Sequence, residues 1–456
     1  MCPMKYFLLL ALFAAPIFLF AHAASWNAVF TPDHVTIEMH REEEIKLDLT
    51  GLQDGEVAEI AVKVAADHVA EVHKVIPGRE INGGSWSGYF NVTAVFLGKT
   101  DLFVEITMGN NQKETSDEKL SVTVIREDRV VDHVFTYTVA ILVSILYINF
   151  GAALDLKLLK TIVLCPVGPA IGVFGQFVVM PLLSFGLGRL LFPDSHAMQL
   201  GMFFTGISPA GGASNVWTAV LNGNINMSVL MTTISTIAAF GLMPMWIFTL
   251  GKVIFDQGNL AVPYERVGTF AICLVIPLFV GLLIQRYLPR VTRILVLVLK
   301  PVSALLILFI VIFAIVTNLY LFELFSWQIF VAGMGLPWLG FLIGWILAKV
   351  FKQANPDALA IAVETGIQNT GISIFLLRFT LPQPEGDLTT VVPVSVAIMT
   401  PIPLFALFLI LKIKERLNRG RRELIEEKET ADLSIEDSQE TLPQEEKNVK
   451  NPPEMP

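Results

Sequence analysis

The stretch Glu364–Gly371, which reads ETGIQNTG, interrupts a long apolar segment near the carboxyl end of the chain. Its two glycines weaken a helix, and its polar side chains stand between apolar residues on both sides. A lone carboxylate such as Glu364 is costly inside a membrane, which makes it a candidate functional group by default. The alternative is a protonated Glu364 that only hydrogen-bonds a neighbouring helix.

A second interruption, Ser208–Asn215 or SPAGGASN, lies in another apolar segment. Pro209 removes a backbone donor and two glycines follow it, so the helix is predicted to unwind there. Unwound backbone is tolerated within a membrane where it lines a cavity or is buried in protein. Two broken helices in corresponding halves of a chain point to the binding site of a transporter.

The composition of the whole chain indicates a membrane protein. Of its 456 residues, 54% are hydrophobic and 16% are charged, with a mean hydropathy of +0.62; an average soluble domain is about a quarter charged. A net charge of −9 and only three cysteines argue against a nucleic-acid binder and a small disulfide scaffold. Nine apolar stretches are long enough to span the membrane, and we number these spans I to IX: 133–154, 161–191, 196–221, 226–251, 266–287, 294–319, 325–349, 357–381 and 390–412.

Acidic residues are concentrated at the two ends of the chain. Of 41 Asp and Glu, 19 lie in residues 24–130 and 11 lie from Glu423 onward, which leaves 11 for the 292 residues from Val131 to Arg422. We therefore predict a signal peptide at 1–23, an extracellular β-sandwich at 24–130 (the β-domain), a nine-helix transport domain at 131–414 (the membrane module) and a disordered acidic cytoplasmic tail at 415–456. For residues 1–23 the alternative is an uncleaved first helix.

The β-domain shows alternation of apolar and polar residues with a period of two. Examples are Ile45–Leu49, Leu102–Ile106 and Leu120–Ile125, with glycine- and asparagine-rich turn signals between such runs. About seven short strands in a chain of this length predict an all-β sandwich of immunoglobulin-like architecture. Asn91-Val92-Thr93 is a glycosylation sequon, which would make the protein a glycoprotein if this part is secreted.

Basic residues predict the orientation of the membrane module. The signal peptide places the amino terminus outside, and the connections then assigned to the cytoplasm carry most of the Lys and Arg. The last span is followed by six basic residues between Lys412 and Arg422. Both signals predict an extracellular amino terminus and a cytoplasmic carboxyl terminus, and we expect the membrane to be the plasma membrane.

Oxygen-bearing side chains recur near the two interruptions. Glu364 and Gln368 are four residues apart, as are Ser228 and Thr232 in span IV, so each pair is predicted to share a helix face; Gln176 lies midway along span II. Hard cations such as sodium prefer oxygen ligands with a carboxylate to balance the charge. Taken singly, a Ser or Thr in a membrane helix is more often a helix-packing contact.

At both interruptions the sequence resembles the bile acid:sodium symporter family, solute carrier family 10. The P-G-G-x-x-S-N signature of the family appears as Pro209–Asn215, with Ala210 in place of the first glycine, and E-x-G-x-Q-N appears as Glu364–Asn369. The similarity extends over residues 133–414 and is specific, because two signatures occur at matching positions. The form is that of animal members with nine helices and a long extracellular amino-terminal domain.

This resemblance implies the fold and the site. It implies an α-helical polytopic membrane protein, an inverted-repeat transporter with core and panel domains in which broken helices III and VIII cross. It implies one sodium ion held by Ser214, Asn215, Ser228, Thr232 and Glu364. A second would be held by Gln176, Glu364 and Gln368 with backbone carbonyls, and Asn369 would face the substrate.

The leading hypothesis is a sodium-coupled symporter of an amphipathic organic anion, such as a bile acid or a sulfated steroid, that works by alternating access. Sodium would be a coupling ion, with no cofactor and no nucleic-acid partner. The alternative is a non-transporting membrane receptor or scaffold whose β-domain binds an extracellular ligand. An enzyme is disfavoured because no catalytic Ser/His/Asp set, metal motif or phosphate loop is apparent in the sequence.

Overall fold

The computed structural model describes residues 26–52, 57–81, 83–127, 129–153, 167–258, 260, 262–317 and 324–418. The predicted signal peptide and most of the predicted tail lie outside these ranges. The chain forms two compact units. One comprises the described residues up to Val134 together with Leu381–Leu388, and the other comprises the described residues of Phe135–Thr380 and those from Thr389 to Asn418.

The described residues of the β-domain form ten strands in two sheets. They are β1 (Asn27–Thr31), β2 (His34–Glu38), β3 (Glu42–Thr50), β4 (Val57–Val64), β5 (Ala70–Glu71), β6 (Val75–Pro77), β7 (Ser85–Ala94), β8 (Gly98–Met108), β9 (Lys113–Thr115) and β10 (Leu120–Ile125). One sheet has the order β1-β3-β7-β5, and the other has the order β2-β10-β8-β4-β6 with β9 paired to β8. The strands β2 and β10 pair in parallel, and the other pairs are antiparallel.

This topology confirms the prediction of an immunoglobulin-like sandwich. In the order of the strands within each sheet, β1, β3, β7 and β5 correspond to the A, B, E and D strands of that fold, and β4, β8 and β10 correspond to C, F and G. The alternating residues point inward as predicted: Ile45, Leu47 and Leu49 on β3 are fully buried in an apolar core. The sequence predicted about seven strands, and three of those observed, β5, β6 and β9, have only two or three residues each.

The membrane module is helical in each of the nine predicted spans. Its elements are α1 (Val130–Ala153), α2 (Val167–Phe174), a π-helical turn (Gly175–Val179), α3 (Met180–Leu191), α4 (His196–Ile207), α5 (Ala213–Val220), α6 (Ile225–Trp246), a second π-helical turn (Ile247–Gly251), α7 (Lys252–Gln257), α8 (Tyr264–Tyr287), α9 (Pro289–Thr317), α10 (Trp327–Val350), α11 (Asn355–Gly366), α12 (Thr370–Thr380), α13 (Glu385–Leu388), α14 (Val391–Met399) and α15 (401–418).

Four helices in the described ranges are long and apolar enough to cross a membrane by themselves. They are Val167–Leu191, Ile225–Gln257, Trp327–Val350 and Glu385–Asn418. Shorter apolar helices include Ala140–Ala152, Val275–Tyr287 and Thr370–Thr380. The chain is therefore a membrane protein, and the crossing of the bilayer by all nine spans stays a prediction.

Spans III and VIII are both broken, as their sequences predict. Helix α4 ends at Ile207 because Ser208 precedes Pro209 and takes an extended conformation, with ψ of 156°. Helix α11 ends at Gly366, and Ile367 is extended with ψ of 102°. Helix α10 packs directly on α11, since a Cβ built on Gly340 would lie 2.9 Å from the Cα of Gly366.

Candidate functional site

The two breaks meet and bond to each other through their backbones. The amide of Gly211 donates to the carbonyl of Ile367 at 2.8 Å, and the amide of Asn369 donates to the carbonyl of Pro209 at 2.9 Å. Ala210 and Gln368 thus form an isolated antiparallel β-bridge. Each break therefore satisfies backbone groups that the other break has released from its helix.

Ala210 contributes to this crossing through its backbone as well. Its amide donates to the hydroxyl of Ser235 on α6 at 2.8 Å, and the residue is 3% exposed. Sequence analysis did not single out Ser235. The crossing also holds Ser208 and Ser373, whose hydroxyls are hydrogen-bonded to each other. A polar residue close to a break in the sequence is the signal that points to Ser208 and Ser373, whereas Ser235 lies within the unbroken α6 and has no such signal.

Glu364 lies beside the crossing, 1% exposed, in the last turn of α11. Three hydroxyls from two other helices converge on its carboxylate. Ser214 Oγ donates to Oε1 at 2.7 Å, and Thr232 Oγ1 lies 2.9 and 3.0 Å from the two carboxylate oxygens. Ser228 Oγ also donates to Oε1. Hydroxyl dipoles compensate part of the cost of burying this carboxylate, and they leave its negative charge in place.

Asn215 completes the cluster from the next position on α5. Its side-chain oxygen lies 2.9 Å from Ser228 Oγ, and its side-chain nitrogen donates to Thr232 Oγ1 at 3.2 Å. Five of the predicted site residues are therefore in one connected set, which we call the carboxylate cluster: Ser214, Asn215, Ser228, Thr232 and Glu364. Ser228 and Thr232 both reach the carboxylate because they are four residues apart on α6.

Gln176 and Gln368 form a second set of polar side chains at the crossing. Gln176 lies in the first π-helical turn, and its Nε2 donates to Ser208 O and to Gln368 Oε1, both at 2.6 Å. Gln368 Nε2 donates to Thr365 O at 2.8 Å. The buried Oε1 of Gln176 has no hydrogen-bond donor among the residues that the structure describes.

A small cavity joins the two sets. Its volume is about 10 Å³, close to that of a single water-sized species. Both Gln176 and Glu364 line it, together with Gly172, Val173, Ala210, Met231 and Ser235. An unpaired amide oxygen and a buried carboxylate at the wall of such a cavity favour a small cation over an anion.

One prediction about this set is wrong in its detail. Glu364 and Gln368 are four residues apart but do not share a helix face, because α11 ends at Gly366 and Gln368 belongs to the β-bridge. Gln368 is instead connected to the site by the hydrogen bond that it accepts from Gln176, a residue that lines the cavity. The glycine in the interruption, which the sequence analysis interpreted as a helix break, is the physical reason for the difference.

Asn369 has a structural contact that the sequence did not suggest. Its side-chain oxygen accepts from the amide of Ile372 at 3.2 Å, and its backbone carbonyl accepts from the amide of Ser373. Asn369 therefore caps the amino terminus of α12, while its side chain stays only partly buried. Contact with a substrate stays a prediction for this residue.

A protein-family sequence model, described as the Sodium Bile acid symporter family, matches residues 140–323 of the chain. The resemblance to the sodium bile acid symporter family is thereby confirmed. The matched range holds Gln176 and the α5 and α6 residues of the carboxylate cluster, and Glu364 lies beyond it. The family is one of transporters by this description, in agreement with the prediction that the chain is not an enzyme.

Individual relatives carry the same similarity. P3 protein of Homo sapiens is 28% identical over 270 residues, which cover 59% of this chain and 56% of that protein. The ileal sodium/bile acid cotransporter of Oryctolagus cuniculus is 29% identical over 260 residues, 57% of this chain and 73% of the relative. Sodium/bile acid cotransporter 5 of Mus musculus is 26% identical over 333 residues, 70% of this chain and 76% of the relative. The chain thus matches only about half the length of human P3 protein, while it matches most of the two cotransporters.

Proposed function

We propose that this chain is a sodium-coupled symporter of an amphipathic organic anion. The protein would lie in the plasma membrane, with its β-domain outside and its carboxyl terminus in the cytoplasm. Sodium ions would be co-transported rather than kept as a resident cofactor. The proposal rests on the carboxylate cluster first, and on the names of the related cotransporters second.

The observation that carries the proposal is the surroundings of Glu364. Three neutral hydroxyls point at a carboxylate that is 1% exposed, so the local charge is close to −1 when the carboxylate is ionised. A hard monovalent cation would neutralise that charge, and the hydroxyl, amide and carboxylate oxygens of the cluster are the ligands that sodium prefers. Each hydroxyl that now donates to Glu364 has lone pairs that it can turn toward a cation.

A second cation is supported by the cavity that Gln176 shares with Glu364. The Oε1 atom of Gln176 is an acceptor without a donor among the described residues. Gln368 Oε1, a second amide oxygen, lies close by because it accepts a hydrogen bond from Gln176 Nε2. A cation in this cavity would lie between the amide oxygen of Gln176 and the carboxylate of Glu364, both of which are acceptors. Two cations beside one carboxylate would give the crossing a net positive charge.

That charge is the physical basis for coupling to an anion. An anionic substrate next to the crossing would be attracted by the net positive charge when both cations are bound. It would be repelled by the carboxylate of Glu364 when the cations are absent. Substrate and sodium would therefore raise each other's affinity by the same factor. Asn369, partly buried at the start of α12, is the residue that we assign to the substrate side.

The test needs no knowledge of the substrate. Thermal stability of the purified full chain is measured against sodium, with potassium and choline at equal ionic strength. Sodium at 100 times its dissociation constant is expected to stabilise the protein by about 2.7 kcal/mol. Glu364→Gln should remove this stabilisation.

The matched control is Asp357→Asn, which removes a carboxylate from the first turn of the same helix. This variant should keep the sodium response of the wild type. If wild type and Glu364→Gln respond identically to sodium, potassium and choline, the proposal is wrong. The β-domain would then be the part of the molecule to examine for ligand binding.

A further inference from the structure

The segment Leu381–Leu388 belongs to the same compact unit as the β-domain, although 250 residues of other sequence separate them. Its centre is the single helical turn α13, whose two acidic side chains are buried: Glu385 is 6% exposed and Asp387 is 4% exposed. Backbone bonds from Gly386 N to Pro382 O and from Leu388 N to Pro384 O close this turn. We call this segment the acidic turn.

Two cations of the β-domain face the acidic turn. Strand β8 begins at Gly98 and strand β10 ends at Ile125, and these strands are antiparallel neighbours in which Gly98 pairs with Val124. Lys99 and Arg126 therefore lie at the same end of adjacent strands. One end of this sheet thus presents two positive charges close together.

Each cation pairs with one carboxylate of the turn. Lys99 Nζ lies 2.6 Å from Glu385 Oε1, and Arg126 Nε lies 3.7 Å from Asp387 Oδ2. The side chains of Arg126 and Asp387 are 7% and 5% exposed, so their pair is shielded from solvent and from salt. The carboxylates of both pairs are buried, whereas Lys99 is 48% exposed. A buried carboxylate without a partner is costly, so each cation lowers the cost of burying its acidic partner.

The acidic turn is also a connection within the membrane module. It joins α12, which starts directly after Asn369 in the crossing, to α14. Arg266 of α8 donates to the carbonyl of Thr380, the last residue of α12, at 3.2 Å. The acidic turn is therefore continuous in the chain with α12, one half of the broken span VIII that forms the candidate site.

We propose that the β-domain is an intramolecular regulator of the crossing. It holds the acidic turn in place through the Lys99–Glu385 and Arg126–Asp387 pairs, and this order favours sodium binding at the crossing. The effect on sodium binding rests on the proposed function, whereas the two ion pairs that hold the acidic turn do not depend on it. A crossing whose connection is already ordered loses less conformational freedom when a cation binds. Release of the turn should therefore weaken apparent sodium binding without touching any residue of the carboxylate cluster.

The experiment compares backbone hydrogen exchange in the full-length wild type, in Lys99→Glu and in the charge-swapped Lys99→Glu/Glu385→Lys. In Lys99→Glu we expect amides of residues 381–388 and of the last turn of α12 to exchange roughly tenfold faster or more. The charge swap should restore slow exchange, because it re-forms a pair of opposite charges between positions 99 and 385. Lys113→Glu is the matched control, since Lys113 pairs with Glu105 elsewhere in the same sheet.

A sodium titration of thermal stability on the same variants provides the second readout. The midpoint should rise at least about threefold in Lys99→Glu and return in the charge swap, a change that corresponds to a small loss of preorganisation. Unchanged hydrogen exchange in residues 381–388 of Lys99→Glu, or no recovery in the charge swap, would show that the ion pairs do not hold the acidic turn. Altered exchange with an unchanged sodium midpoint would overturn the regulation. A wild type without any sodium response would refute the proposed function and leave the exchange comparison interpretable.

Discussion

The β-domain and the membrane module bury different kinds of side chains. The core of the β-domain is apolar, and its buried polar residues in the described ranges are Thr100, Ser116 and Arg126. The membrane module instead buries many polar side chains around its crossing while it exposes large apolar ones, such as Leu297 at 78%. Leu47 of the β-domain is fully buried by comparison.

The difference follows from the two solvents. In water, burial of apolar area drives folding, so polar side chains in a sandwich core would only add cost. Lipid is as apolar as a leucine side chain, so burial of apolar surface does not hold membrane helices together. Polar groups buried inside a membrane module are therefore expensive and specific, and in this chain they concentrate where α4, α6, α11 and α12 meet.

The largest effect is expected in the β-domain. Leu47→Ala should lower the free energy of unfolding of the β-domain by about 2–5 kcal/mol, because the side chain is fully buried and leaves a cavity. Hydrogen exchange of the β3 amides in the full chain measures this loss. Val75→Ala, at a residue that is 58% exposed, is the control and should change stability little. Equal effects of the two substitutions would contradict an apolar core as the source of stability.

The crossing should be sensitive to added volume rather than to lost volume. A Cβ on Gly211 would lie 2.9 Å from the backbone oxygen of Gln368, so Gly211→Ala must push the two breaks apart. We expect a cost of about 1–3 kcal/mol in thermal stability, together with loss of sodium stabilisation. Gly241→Ala on α6 is the matched control, since a Cβ there meets nothing within 4 Å. A tolerated Gly211→Ala with an intact sodium response would show that the crossing is not tightly packed.

A smaller effect is expected from a single hydroxyl of the carboxylate cluster. Thr232→Val keeps the shape of the side chain but removes an oxygen that lies within 3.0 Å of both carboxylate oxygens of Glu364. The loss of one hydrogen bond to a charged group is about 1.5 kcal/mol, which corresponds to roughly tenfold weaker sodium binding.

Thr236→Val separates this effect from a general effect of threonine in a membrane helix. Thr236 lies one turn along α6, and its hydroxyl donates to the carbonyl of Thr232 at 2.8 Å rather than to Glu364. A sodium titration of thermal stability compares the two variants. If both shift the midpoint by the same factor, the hydroxyl of Thr232 has no special role.

Sequence patterns predicted most of the fold because each pattern reports one local property. Alternation along Ile45–Leu49 predicted a strand with one buried face, and Pro209 and Gly366 predicted the two breaks. The immunoglobulin-like strand order required non-local pairing, which a count of strands only suggests. The short strands β5, β6 and β9 were missed because two or three residues are too few to show a period.

The sequence predicted which residues form the candidate site, but only some of the contacts between them. Spacing along α6 placed Ser228 and Thr232 on one face, and both reach Glu364. Spacing failed for Gln368 because the helix ends before it, and the bond between Gln176 and Gln368 spans 192 positions of sequence. The pairing of Lys99 with Glu385 was likewise invisible, since nothing local in either stretch indicates its partner.

Direct binding of radiolabelled sodium to the purified protein tests the central claim most simply. We predict saturable binding to the wild type that excess unlabelled sodium displaces and equal potassium does not. Glu364→Gln should show no saturable binding, while Asp357→Asn binds as the wild type does. Saturable binding that survives in Glu364→Gln, or that potassium displaces as well as sodium, would contradict the assignment of the carboxylate cluster as a sodium site.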